Sequence, residues 1–168
     1  RREYNGANRE FSIFVNIIHL FIRTKQGFLR MMFDMQKEYS FKFQLYPNWE
    51  SLQTIDISVV NKAFDAMEKT YAPYSKFKVG AALLLEDGQI IQGNNQENIA
   101  YPSGLCAERV ALFHAGAQFP GIAVDLICIV AKGDLMPISQ LLSPCGACRQ
   151  VMLESENRQN KPIRIILV

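Results

Sequence analysis

The sequence predicts an α/β protein of three layers with a partly parallel sheet. Two observations carry this. Segments with helical spacing of apolar residues alternate with short apolar, β-branched runs, in the order helix, hairpin, helix, strand, helix, strand. The 168-residue chain is also 49% hydrophobic and 20% charged, which suits one ordinary domain with a sizeable core and excludes a disordered or fibrous chain.

The elements follow in order. Residues 11–22 form a short apolar run with arginines on both sides. It has the length of a signal-peptide core, but Asn16 and His19 interrupt it and no small-residue cleavage site follows. It is too short to span a membrane. Residues 1–31 are therefore expected to be an upstream extension or non-native leader, with Met31, Met32 or Met35 as initiator. Residues 32–54 read as an extended, aromatic lead-in broken at Pro47.

Residues 55–71 carry Val60, Ala63, Phe64, Met67 and Tyr71 on one helical face, and Ala72-Pro73 ends that helix. Residues 79–86 and 89–91 flank Asp87-Gly88 and read as a hairpin. Residues 93–101 are a polar loop. Residues 106–117 form a helix with Val110, Leu112 and Phe113 as packing residues and Gly121 after its end. Residues 124–131 are almost wholly apolar, as in a strand buried on both faces. A loop over 132–144 precedes a helix over 146–157, and 162–168 is the last strand. That strand ends the chain in Ile165-Ile166-Leu167-Val168 without a tail, so truncation after Val168 is expected.

The charge is placed unevenly. Residues 1–30 hold six Lys/Arg and two Asp/Glu, which leaves 12 and 14 for the rest, a net of −2. The bulk of the chain thus has no electrostatic case for a nucleic acid polymer. The four cysteines, with no convincing secretory signal, suit reduced thiols in a cytoplasmic protein. Clustered thiols there read as metal ligands or catalytic groups.

Two stretches concentrate the chemistry: Cys106-Ala107-Glu108-Arg109, and Pro144 through Gln150 with Cys145 and Cys148. Each opens a predicted helix after a loop. Cys145 and Cys148, three apart in a first turn, place their sulfurs on one side. A helix N-terminus favours thiolates. Together with Cys106 they would hold Zn²⁺ and leave its fourth tetrahedral position open, the mark of a catalytic site. That position would hold a water, and Glu108 in the same turn as Cys106 could take its proton. Cys128, mid-strand, reads as a small buried apolar residue. His114 would lie about 12 Å up its helix from Cys106, so neither it nor His19 reads as the fourth ligand.

The combined C-x-E … P-C-x-x-C pattern is the signature of zinc deaminases. With it, residues 55–168 resemble the small, homo-oligomeric cytidine deaminases that act on free nucleosides. Residues 74–82 look like that family's opening motif, and Gly93 through Asn98 like its nucleoside loop. Ser143 through Gln150 looks like its second zinc segment.

The resemblance implies an α/β/α sandwich around a mixed sheet and one zinc per chain on Cys106, Cys145 and Cys148. It implies a homodimer or homotetramer with a small-molecule nucleoside as substrate. Glu108 would move protons and hold the pyrimidine N3. Asn95 and Glu97 would bond the ribose hydroxyls, and Phe77 would pack on the base. The backbone at Ala107 and the carbonyl of Ser143 would meet the pyrimidine edge, and Arg109 would donate to the thiolates.

The implied reaction is hydrolytic deamination of cytidine and deoxycytidine in pyrimidine salvage. Deamination of another aminopyrimidine nucleoside, of antibiotic type, and a non-catalytic zinc or redox-thiol protein are the alternatives. Residues 1–54 exceed the family's usual lead-in, and the family usually continues past the last strand seen here.

Overall fold

The computed structural model describes residues 11–13, 39–41, 43–133 and 142–168. Most of the expected leader, its initiator methionines and His19 lie outside the described residues, as does most of the predicted loop over 132–144. Two compact units are present, Arg1–Pro47 and Asn48–Val168. In the first, β1 (Phe11–Ile13) pairs antiparallel with β2 (Tyr39–Phe41).

The second unit follows the predicted order: α1 (Thr54–Met67), β3 (Phe77–Leu85), β4 (Ile90–Asn94), α2 (Ala107–Gln118), β5 (Val124–Gly133), α3 (Gly146–Gln159) and β6 (Arg164–Leu167). The sheet order is β4-β3-β5-β6. β3 runs antiparallel to both neighbours and β5 pairs parallel with β6, so the sheet is mixed. The β3–β4 connection is the expected hairpin. Gly88 takes φ 86, and its N–H bonds the Leu85 carbonyl at 2.9 Å.

Side-chain alternation along β3 and β5 sorts the core into two faces. Ala82, Leu126, Cys128 and Val130 meet Val59, Val60, Ala63 and Met67 of α1. Val79, Ala81, Leu83, Leu85, Ile127 and Ile129 meet Ala107, Ala111, Leu112 and Ala115 of α2 and Cys148 and Met152 of α3. The result is the α/β/α sandwich. Close approach on both faces needs glycine. A Cβ on Gly80 would lie 2.1 Å from the Ala63 carbonyl oxygen, and one on Gly93 would lie 2.5 Å from that of Ala107.

Two expectations are corrected. α1 stops at Met67 rather than running to residue 71. Its last turn tightens, with Lys69 N–H bonding Ala66 O and Thr70 N–H bonding Met67 O. Tyr71 then bridges to Gln96 and is 54% exposed, so it leaves the apolar face. Phe113, expected to pack, is 51% exposed. The alanines at 107, 111 and 115 set α2's buried stripe, and Phe113 projects outside it.

Opposite the chemistry, buried Asp56 in the first turn of α1 receives Arg164 of β6 in a two-pronged bond, at 2.6 and 3.0 Å. No helix among the described residues is long and apolar enough to cross a membrane.

Candidate metal centre and active site

The site is built on two helix N-termini. Cys106 is the N-cap of α2 and Cys145 the N-cap of α3, both in extended backbone, and Cys148 lies in the first turn of α3. The tertiary fold brings these first turns together. The Sγ atoms of Cys106 and Cys145 are 4.0 Å apart, and those of Cys145 and Cys148 are 3.4 Å apart. All three lie within 4.8 Å of one another. Tetrahedral zinc–sulfur bonds of about 2.3 Å place sulfurs roughly 3.8 Å apart, so the cluster fits one zinc ion. No other group of three ligating side chains is close enough among the described residues.

The electrostatics ask for a cation. The N–H groups of Cys148 and Ala147 point at Cys145 Sγ, and the Cys148 N–H contributes most to holding that thiol below its usual value. Burial, and then the neighbouring Glu108 charge, push the Cys148 thiol well above its usual value. One thiolate is thus favoured and the next opposed, so a full set of three needs positive charge among them. Arg109 supplies part of it. Its guanidinium donates to Cys106 Sγ at 3.7 Å, and that bond raises its already high pKa. Its buried Nε has no hydrogen-bond partner among the described residues.

Glu108 is only 5% exposed, although it is a carboxylate in the first turn of α2. It makes no hydrogen bond to a described residue, which leaves the carboxylate available for substrate and water.

A second cluster adjoins the first. Gln96 and Leu105 exchange two backbone hydrogen bonds, both 2.9 Å, which sets the 94–98 segment beside the residue preceding Cys106. Asn95 Oδ1 accepts the Val79 N–H at 2.8 Å and its Nδ2 donates to the Phe77 carbonyl at 2.9 Å. Glu97 accepts the N–H groups of Tyr74 and Ser75 and the Ser75 hydroxyl. Burial works to raise the Glu97 carboxyl, but the Ser75 hydroxyl and the two N–H groups outweigh it and hold it below the ordinary value. Phe77 is half-buried, resting on the α2 side of the core.

Of the expected site residues, Cys106, Cys145, Cys148, Glu108 and Arg109 converge. Ala107 is buried with them, and Asn95, Glu97 and Phe77 gather next door. Ser143 is exposed, two residues ahead of Cys145. Ser75 belongs to the 74–82 motif but has no assigned role there, although its place two residues before Phe77 is that of a serine turn.

A family profile described as "Cytidine and deoxycytidylate deaminase zinc-binding region" matches residues 53–161. The chain belongs to this family. It is 45% identical over 96 residues to the cytidine deaminase of Halalkalibacterium halodurans, covering 57% of this chain and 68% of that one. It is 39% identical over 105 residues to the cytidine deaminase of Mycobacterium tuberculosis, covering 61% of this chain and 74% of the relative. Among solved structures, the cytidine deaminase of Burkholderia pseudomallei superposes with a TM-score of 0.57 at 43% identity. That superposition covers 67% of this chain and 83% of that one. The crystal structure from Mycobacterium tuberculosis superposes with a TM-score of 0.54 at 33% identity, covering 65% and 81%.

Proposed function

We propose that this chain is a zinc-dependent hydrolytic deaminase of free cytidine and deoxycytidine, releasing uridine or deoxyuridine and ammonia. The observation that carries the reading is a buried carboxylate, Glu108, set beside three convergent thiols. A structural zinc site has no use for such a group. The named relatives support the substrate class.

Cys106, Cys145 and Cys148 would hold zinc, which would supply acidification of a water near neutral pH. The rest falls to the chain's own residues. Glu108 takes a proton from the attacking water and passes it to N3 of the pyrimidine, then carries the proton of the new C4 hydroxyl to the departing amine, so that the C4 carbonyl forms as ammonia leaves. Its burial keeps bulk water from competing for the proton. Arg109 offsets the net −1 charge of three thiolates and Zn²⁺, which would otherwise weaken acidification. Phe77 packs on the base, the backbone at Ala107 and the Ser143 carbonyl meet the pyrimidine edge, and Asn95 and Glu97 hold the ribose hydroxyls.

The deaminase unit is assigned to residues 55–168, after a lead-in over 32–54. We place the enzyme in the cytoplasm, which four cysteines without disulfides support, and assign it to pyrimidine salvage. We assign it a homodimer or homotetramer. Exposed Phe113, which lines the groove between α2 and α3 together with Val151, supports an apolar contact surface.

The test is ammonia release from cytidine and deoxycytidine by the full chain, with zinc quantified on the same sample. Release with about one zinc per chain is expected. Folded, zinc-loaded protein that releases no ammonia from either nucleoside would overturn the proposal.

A further inference from the structure

We infer that Ser75 is a positioning residue for sugar recognition: its hydroxyl aims the Glu97 carboxylate at the ribose and ties Phe77 to the same point. This deepens the nucleoside reading above and rests on it.

The turn before β3 is organised around one hydroxyl. Ser75 Oγ accepts the Phe77 N–H at 3.0 Å, and the same hydroxyl donates to Glu97 Oε1. A serine has a single O–H proton. With the Phe77 N–H on an oxygen lone pair, that proton is directed to Glu97. The other carboxylate oxygen, Oε2, accepts the Tyr74 N–H at 2.9 Å and the Ser75 N–H at 3.3 Å. Lys76 sits at φ 54, a left-handed conformation that a lysine keeps only when its surroundings hold it there, and its N–H bonds the Ala72 carbonyl.

Counting lone pairs shows what remains. A carboxylate offers about four acceptor sites. Two backbone N–H groups and the Ser75 hydroxyl fill three of those on Glu97, leaving one on Oε1. Asn95 has likewise spent one N–H on the Phe77 carbonyl and keeps the other. One acceptor site on Glu97 Oε1, the second lone pair of Asn95 Oδ1 and one Asn95 N–H are therefore left, a mixed set that suits sugar hydroxyls, which both donate and accept. Without Ser75, Oε1 loses the partner that fixes its direction, and the Phe77 N–H loses its acceptor.

The test compares cytidine with 2′,3′-dideoxycytidine, which lacks the neighbouring 2′ and 3′ hydroxyls, on zinc-loaded full chain. Ser75→Ala is expected to raise KM for cytidine roughly tenfold, the scale of one hydrogen bond to a charged group, with kcat within about twofold. KM for the dideoxynucleoside should change by less than about twofold, because the hydroxyl contact is absent there. Ser75→Thr, which keeps the hydroxyl, should restore most of the loss. The ratio between the two substrates is read on one sample, so it survives a partial loss of stability in Ser75→Ala.

An equal rise in KM for both substrates, or a fall in kcat at fixed KM, would overturn the positioning role. Glu97→Gln separates that failure from failure of the underlying reading. If Glu97→Gln leaves the preference for cytidine intact, the sugar assignment of Glu97 falls, and the role of Ser75 with it. If the unaltered chain releases no ammonia from cytidine, the deaminase reading itself has failed.

Discussion

On one face of the sheet, α1 lays Val59, Val60, Ala63 and Met67 over Ala82, Leu126, Cys128 and Val130. On the other, α2 and α3 lay Ala107, Ala111, Leu112, Cys148 and Met152 over Val79, Ala81, Ile127 and Ile129. Both interfaces are apolar and close-packed, and both contain cysteine. They differ in where the sulfur sits relative to a helix end. Cys128 is fully buried mid-strand, and burial pushes its thiol up to about 12. Cys145 stands at the N-terminus of α3, where backbone N–H groups pull its thiol down. The same residue type is buried packing in one place and part of the candidate metal cluster in the other.

The widest contrast comes from removing one thiol on each face. Cys145→Ser, at an exposed position, should leave the fold intact and abolish both zinc binding and deamination. Cys128→Ala should keep about one zinc per chain and activity within roughly twofold, because it touches only packing. Metal analysis with ammonia assay on both variants checks this. Zinc retained by Cys145→Ser would erase the distinction.

Next, Glu108→Gln should cut kcat by about a thousandfold while zinc content stays unchanged, since proton transfer is lost but the thiols are not. Activity surviving that change would remove Glu108 from the mechanism.

On the α1 face the largest single effect should come from Arg164→Ala. It strips buried Asp56 of its two-pronged partner and should cost about 2 kcal/mol of stability, with zinc content unaffected. Urea unfolding measures the loss.

The smallest effect is a pH dependence at Cys128. Its folded thiol holds its proton up to about 12, against an ordinary value of 9.0. Below pH 9 neither the folded nor the unfolded chain ionises there. As pH rises from 9 toward 12 the unfolded chain releases that proton and the folded chain does not, so rising pH favours unfolding. The stability advantage of the unaltered chain over Cys128→Ala, about 1 kcal/mol at neutral pH, should therefore shrink as pH rises. Paired urea midpoints at about pH 8 and about pH 10 read the difference directly. A constant or growing advantage would contradict the burial of this thiol.

The sequence by itself determined the order of elements, because apolar spacing of 3.6 or 2 residues is a local property that survives without a partner. It pointed to Cys106, Cys145 and Cys148 as the candidate metal cluster for a related reason. Thiols three residues apart at a helix start face one way in any fold, and Glu108, two residues after Cys106, shares a first turn with that cysteine; only the fold brings the two turns together. It also carried the nucleoside motifs as strings.

Tertiary structure decided which faces those elements bury. Phe113 reads as core by hydrophobicity alone, yet the alanine stripe that lets α2 approach Gly93 turns it to the surface. Tyr71 fits the helical period of α1, yet its N–H bonds the Asn95 carbonyl and draws the chain out of the helix. The pairing of Asp56 with Arg164, 108 positions apart, and the grip of Ser75 on Glu97, 22 positions apart, have no local signature. Each depends on two segments being held side by side by the sheet, and no periodicity within either segment encodes its partner.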